Sequence, residues 1–316
     1  MSRFSKYAWF LVLYNMFVIV WGTIVRATGS GAGCGNHWPQ CQGEILPTLE
    51  RLETVIEFVH RLTSGLDGIL VIVLLIWAFR LQPVQKFVRQ MAVMSLIFVI
   101  IEGILGAALV RFELVEDNTS TARAIMIGLH LVNTLVLLGF LTLTAWGASR
   151  PKAKESLHLT ASSKLIASFS VAIVLFWIMS AAGAITALGD TLFPAASLAA
   201  GIQQDLSPTA HFLIRLRVWH PVIAIVTSTY LFALGWFIQR RTISEHLEPR
   251  FNLLFLLIAV QIGAGILNVT LLAPLWLQIA HLLLADSLWI LLVIITAETL
   301  TMQAESAPQI SLATGD

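Results

Sequence analysis

The sequence predicts an all-α integral membrane protein, with eight transmembrane helices arranged as two tandem four-helix bundles related by pseudo-twofold symmetry. Three observations carry this prediction. First, 57% of the 316 residues are hydrophobic and only 12% are charged, against roughly 25% charged in soluble domains. Second, apolar runs of near-spanning length recur at 7–26, 57–80, 90–110, 124–146, 164–188, 212–238, 251–271 and 275–298. Each run can satisfy its own backbone as a helix, which the bilayer core demands. Third, the chain repeats itself. The stretch Gly22 to Gly29 at the end of the first run echoes Gly183 to Gly189 at the end of the fifth, and Glu102-Gly103-Ile104-Leu105-Gly106 echoes Gln261-Ile262-Gly263-Ala264-Gly265. Gly103 and Gly263 are 160 residues apart, as are His60 and His220, while His130 and His281 are 151 apart. With four spans in each half, the copies share an orientation and are related by an axis along the membrane normal.

Taken in order, the first run follows Arg3 and Lys6, shows no small-residue cleavage pattern and exceeds the length of a signal-peptide core, so it reads as a retained span. The chain then divides into an N-terminal bundle at 1–147, a cytoplasmic linker at 148–163, a C-terminal bundle at 164–300 and a cytoplasmic tail at 301–316. Placing the N-terminus in the cytoplasm puts twelve of the nineteen lysines and arginines inside and seven outside, which favours both termini inside by the positive-inside rule. The seven outside are all arginine: Arg26, Arg51, Arg61, Arg111, Arg123, Arg215 and Arg217. A net charge of +1 supplies no basic surface for nucleic acid, which is excluded as a partner.

In this orientation the even-numbered spans begin at the outer face. His60, His130, His220 and His281 each fall a few residues into such a span, so a rise of 1.5 Å per residue puts them in one layer roughly 5 to 12 Å below the outer end. A lone membrane histidine is as often a hydrogen-bonding residue as a ligand. Four at one depth, paired by an internal repeat, favour a metal or cofactor. Zinc sites ask for three or four clustered ligands, and each half offers two histidines. Haem brings four equatorial nitrogens of its own, so two facing imidazoles complete it. Gly65, Gly68, Gly103, Gly106, Gly263 and Gly265 would admit a flat macrocycle, or equally serve close helix packing.

Glu57 lies three residues before His60 and shares its helical face, whereas the matching position before His220 is Arg217. The halves are therefore chemically unequal, one reading being a substrate site in the first and a permanent cofactor in the second. The alternative for Glu57 is an interfacial ion pair with Arg61 or Arg51. Cys34 and Cys41, the only cysteines, share one outer loop and read first as a structural disulfide, with a redox-active pair as the sharper option. His37, His158, His211 and His246 fall in or beside loops and take no role.

The Glu57-x-x-His60-Arg61 run, the glycine-rich loop from Cys34 through Trp38-Pro39 to Cys41, and the histidines at 130, 220 and 281 in a duplicated eight-helix chain resemble the haem A synthase family over residues 7–298. The resemblance implies oxidation of the C8 methyl of haem O to the formyl group of haem A for terminal oxidases. It further implies haem O between His60 and His130 as substrate, haem b between His220 and His281 as cofactor, Glu57 as the catalytic residue, and Cys34 with Cys41 as the extracytoplasmic pair. Expected partners are haem O, haem O synthase, an electron donor and membrane lipid, with a homo-oligomer also open. The expected location is a bacterial plasma membrane in preference to a mitochondrial inner membrane. Arg26, Arg61, Arg123, Arg215 and Arg217 are candidates for haem propionates through bidentate contacts. Two other functions compete: a di-haem b cytochrome passing electrons from a quinol, whose histidine pairs would ordinarily lie at two depths, and a transporter using intramembrane Asp67, Glu102, Asn268 and Asp286.

Overall fold

A computed structural model describes residues 1–83, 85–150, 162–241 and 247–305. Most of the expected linker, with Lys152, Lys154 and His158, lies outside the described residues, as do His246 and the end of the expected tail. The described chain is an all-α integral membrane protein with eight helices long and apolar enough to cross a bilayer. In chain order the helices are α1 (Arg3–Ala27), α2 (Leu52–Arg80), α3 (Lys86–Arg111), α4 (Thr121–Ala148), α5 (Ser163–Leu192), α6 (Leu198–Leu206), α7 (Phe212–Leu216), α8 (Trp219–Arg241), α9 (Glu248–Thr270) and α10 (Leu275–Glu305). Serine opens several of them. The side chains of Ser2, Ser120, Ser162 and Ser197 accept from backbone N–H groups one turn inside α1, α4, α5 and α6, satisfying donors that the first helical turn leaves unpaired.

Two elements depart from the sequence prediction. The expected sixth span, 212–238, is broken into α7 and α8 at Arg217 and Val218. Pro221 explains the break: it has no N–H to give the carbonyl of Arg217 four residues back, and its ring crowds that oxygen. The short outer helix α6 was not predicted, since nine residues of alternating small and polar character are too few to show a periodicity.

The spans pack as two rings: α1 meets α2 and α4, and α3 closes between α2 and α4; likewise α5 meets α8 and α10, with α9 between them. Between the rings, α4 meets α5 and α10, and α1 meets α10 and α5. Exchanging the halves maps this set of contacts onto itself, the signature of a pseudo-twofold interface. Helix α4 sits at the centre of the molecule, and its residues from Asn133 to Gly147 are mostly buried. Ile97, Ile100 and Ile104 of α3 and Leu253, Leu256 and Val260 of α9 are exposed. They stand three or four residues apart, the outward stripe of a helix that faces lipid.

Side chains tie the rings together at three depths. At the histidine end, Arg26 of α1 donates to Ala187 O, Thr191 Oγ1 and Gln278 Oε1, each at 2.7 Å. In the middle, the Trp289 indole of α10 donates to Leu135 O at 2.6 Å and lies 3.4 Å from where a side chain at Gly139 would begin. At the opposite end, the buried Glu298 carboxylate pairs with Arg150 and, at 2.7 Å, with Arg250, and accepts from the Trp146 indole. Replacing Gly139 with leucine would force the Trp289 ring out of its notch. Gly139→Leu is therefore expected to cost about 1–3 kcal/mol, read as a lower thermal unfolding midpoint of the detergent-purified protein; an unchanged midpoint would contradict the tight seat.

Candidate functional site

Each of the four even-span histidines is seated against a glycine of a neighbouring helix. A Cβ added at Gly22 would stand 3.2 Å from His60 Cε1, at Gly106 3.9 Å from His130 Cε1, at Gly183 2.9 Å from His220 Cε1, and at Gly265 3.4 Å from His281 Cε1. The repeat is therefore a repeat of contacts: α1 receives the ring of α2, α3 that of α4, α5 that of α8, and α9 that of α10. His60 and His130 are close enough for their charges to interact, and so are His220 and His281. All four residues are half-buried, and all four bury an Nδ1 that has no hydrogen-bond partner. A buried ring nitrogen without a partner is costly unless something else accounts for it. Added Cβ atoms at Gly65, Gly68, Gly103 and Gly263 would meet nothing within 4 Å, so these glycines are not seats for a neighbouring helix. The residues fit a flat macrocycle with imidazole ligands in each half: two histidines per half, each with its ring seated on a glycine of a neighbouring helix. Among the described residues no three His, Cys, Asp or Glu side chains converge on a metal site, which suits a ligand set of two and not zinc.

The surroundings of the two pairs differ. In the first half Glu102 Oε1 lies 3.5 Å from His130 Nδ1. In the second, Gln261 Nε2 lies 3.3 Å from His281 Nε2 and donates to His281 O at 3.1 Å. Asp67, buried beneath His60, accepts from Asn15 at 2.8 Å. Thr227 stands at the corresponding position of α8.

Above the first pair sits the outer loop. Cys34 and Cys41 form a disulfide and are fully buried. The loop rests on the start of α2 at Gly33, where a Cβ would come within 2.4 Å of the Glu53 backbone; only glycine permits that approach. Thr54 Oγ1 donates to Gly33 O at 2.8 Å. Glu57, expected as the catalytic residue, is buried with both oxygens engaged: Oε2 accepts from Cys34 N at 2.7 Å, and Oε1 takes the Arg61 fork at 2.5 and 3.1 Å. The same guanidinium reaches on to His37 O and Gln40 O. Arg51 pairs with Glu53 instead. In the second half the charges are inverted. Arg217 pairs with Asp190 at 3.1 Å and Asp205 at 3.6 Å and donates to Gly189 O and Phe193 O. Burial pushes the Asp205 carboxyl above its ordinary value against the pull of Arg217.

Four of the arginines proposed for propionates are thus engaged within the protein, Arg26 and Arg123 included, the latter through Glu116 O and Asn118 O. Sequence reasoning missed the seat of Gly33 on α2, the bond of Thr54 to it, and Asp190 and Asp205 as the partners of Arg217. A glycine one residue before a cysteine was the only available signal for the first. A cavity of about 380 Å³ lies outside the histidine layer, between Gly35, Asn36 and the acidic stretch from Glu113 to Asp117.

With the duplicated histidines, the disulfide loop and eight spans in place, the class is a multi-pass all-α membrane protein with one histidine-bearing bundle in each half. Residues 5–293 match the family described as cytochrome oxidase assembly protein, COX15-CtaA, and the chain belongs to this haem A synthase family. A Thermus thermophilus protein named protoheme IX farnesyltransferase is 41% identical over 304 residues, 96% of this chain and 50% of its own length. A haem A synthase of Bacillus licheniformis is 38% identical over 144 residues, 46% of each chain. One of Halalkalibacterium halodurans is 44% identical over 97 residues, 31% of this chain and 33% of its own. The chain spans about half the length, or less, of these relatives.

Gly33→Ala cannot be accommodated without lifting the disulfide loop from α2. The variant is expected to expose the loop, seen as faster proteolysis between Cys34 and Glu53 under non-reducing conditions, with the span helices unchanged by circular dichroism.

Proposed function

We propose that the protein oxidises the C8 methyl group of haem O to the formyl group of haem A, with haem O held as substrate between His60 and His130 and haem b held as cofactor between His220 and His281. The observation that carries this reading is the fourfold seat of an imidazole on a glycine, with each Nδ1 buried. Family membership and the haem A synthase relatives support it. When bound, haem b supplies one-electron exchange at its iron, with a potential set by its axial ligands and burial.

The chain's own residues bind, orient and exclude water. Gly22 and Gly106 fix the ring planes of His60 and His130, so the substrate is held by rings that cannot turn freely. Glu57 acts as a positioning residue. By gathering the Cys34 N–H and the Arg61 fork it presses the disulfide loop down over the first pair, a lid over the side where water would enter. The two halves then act as the units 1–147 and 164–300. The arginine and lysine distribution, together with a disulfide that persists in an oxidising compartment, supports both termini in the cytoplasm of a bacterial cell and the histidine layer near the outer face.

The name of the Thermus relative favours a second reading, prenyl transfer. This chain matches only half of that relative's length, so the named activity is not tied to the half it resembles. The farnesylated haem is better read as the product of a neighbouring haem O synthase, which is the partner this reading needs alongside an electron donor.

Cells supplying haem O and expressing the protein are expected to yield haem A on extraction and mass analysis. His60→Ala should abolish haem A while leaving haem b on the protein, and His220→Ala should remove the haem b. Wild-type levels of haem A from His60→Ala would sink the assignment, and farnesylation of protohaem by the purified chain would establish the second reading. Glu57→Ala takes the carboxylate from Arg61 and the acceptor from the Cys34 N–H, loosening the loop where both now converge. It is expected to cut haem A formation at least tenfold while the His220–His281 haem b spectrum stays intact.

A further inference from the structure

The repeat is broken at one place where a charge stands directly against a histidine of the site. Glu102 of α3 reaches His130 of α4, its Oε1 3.5 Å from Nδ1. Two α4 side chains hold the carboxylate there. Asn133 Nδ2 donates to Oε2 at 2.5 Å while also donating to Phe98 O, and the Thr134 hydroxyl donates to Oε1. Nothing of this survives in the second half. Gln261 replaces Glu102, and the residues three and four after His281 are Leu284 and Ala285 where the first half has Asn133 and Thr134. A carboxylate, its two donors and a histidine form one cluster in the first half, and a neutral amide stands alone beside its counterpart.

We propose that Glu102 is a positioning residue that acts through His130, making the iron held by the first pair more electron-rich than the iron held by the second. The inference rests on the haem-ligation reading above. A carboxylate set beside a ligating imidazole makes it a stronger donor than a neutral amide does, and ligand donation together with nearby charge lowers a haem potential. Asn133 and Thr134 serve to keep the carboxylate aimed at the ring and away from the open face of α3. The difference is built into the chain, so the two sites are poised differently even with the same haem in both.

The test is a redox titration of detergent-purified protein loaded with protohaem, followed by visible absorbance. His220→Ala is the background that leaves only the first site, and His60→Ala the one that leaves only the second. Glu102→Gln in the first background is expected to lower the ferric-to-ferrous ratio at a fixed applied potential about tenfold, a rise of about 59 mV for a one-electron couple. Gln261→Glu in the second background should move the second site the opposite way. A merely structural carboxylate would leave both potentials where they were. Haem retained by Glu102→Gln with a ratio within twofold of its parent would overturn the proposal. Should Glu102→Gln release its haem, Gln261→Glu decides, and an unmoved second-site potential overturns it equally. A first-site spectrum indifferent to His130→Ala would instead refute the ligation reading, before Glu102 is tested at all.

Discussion

An imidazole at bilayer depth must be given somewhere flat to lie and something to do with its nitrogens, and the rest of the structure follows from that constraint. Polar groups away from water are expensive when unpaired, and a helix carrying ordinary side chains offers no place for a ring edge. The chain answers with glycine at Gly22, Gly106, Gly183 and Gly265, one beneath each ring. These glycines are what require α1, α3, α5 and α9 to pack closely against the helices that follow them, and hence what shape the two rings of spans. Gly183, with the tightest seat at 2.9 Å, tolerates no larger residue without moving His220.

On this duplicated frame the halves diverge by exchange of charge. Glu57 and Arg61 of α2 become Arg217 and Pro221 in the second half, which removes the carboxylate, inverts the ion pairs toward Asp190 and Asp205, and breaks the helix into α7 and α8. Glu102 becomes Gln261. The disulfide loop belongs to the first half alone and is fastened there by Gly33, Thr54 and Glu57. In the proposed reading this divergence separates a pair that must release its haem as product from a pair that keeps it. In that reading the half covered by the disulfide loop is the half expected to exchange its ligand.

Much of this was legible in the sequence. The eight spans stood out because a bilayer imposes a length and a polarity that composition reveals directly. The histidine layer and the internal repeat were visible because residue spacing converts to depth along a helix. The cysteine pair could be read as a disulfide from its isolation in one loop. What stayed hidden are contacts between segments distant along the chain. Periodicity cannot say that Arg26 crosses to Ala187, Thr191 and Gln278, nor that Asn133 and Thr134 aim Glu102 at a histidine on their own helix. Pro221 was in plain view, but its effect on Arg217 was masked by an apolar run that continues through it. Glu57 was singled out beside His60, but its engagement with the Cys34 backbone depends on a loop conformation no local pattern encodes.

The indole of Trp289, lodged at Gly139 and bonded to the Leu135 carbonyl, works as a key in a slot between the two rings of helices. With Arg26 latched above it and Glu298 held by Trp146 and Arg150 below, the halves are pinned at three heights. The interval separating one histidine couple from the other is therefore held by the architecture, like the span between two piers bolted to one frame.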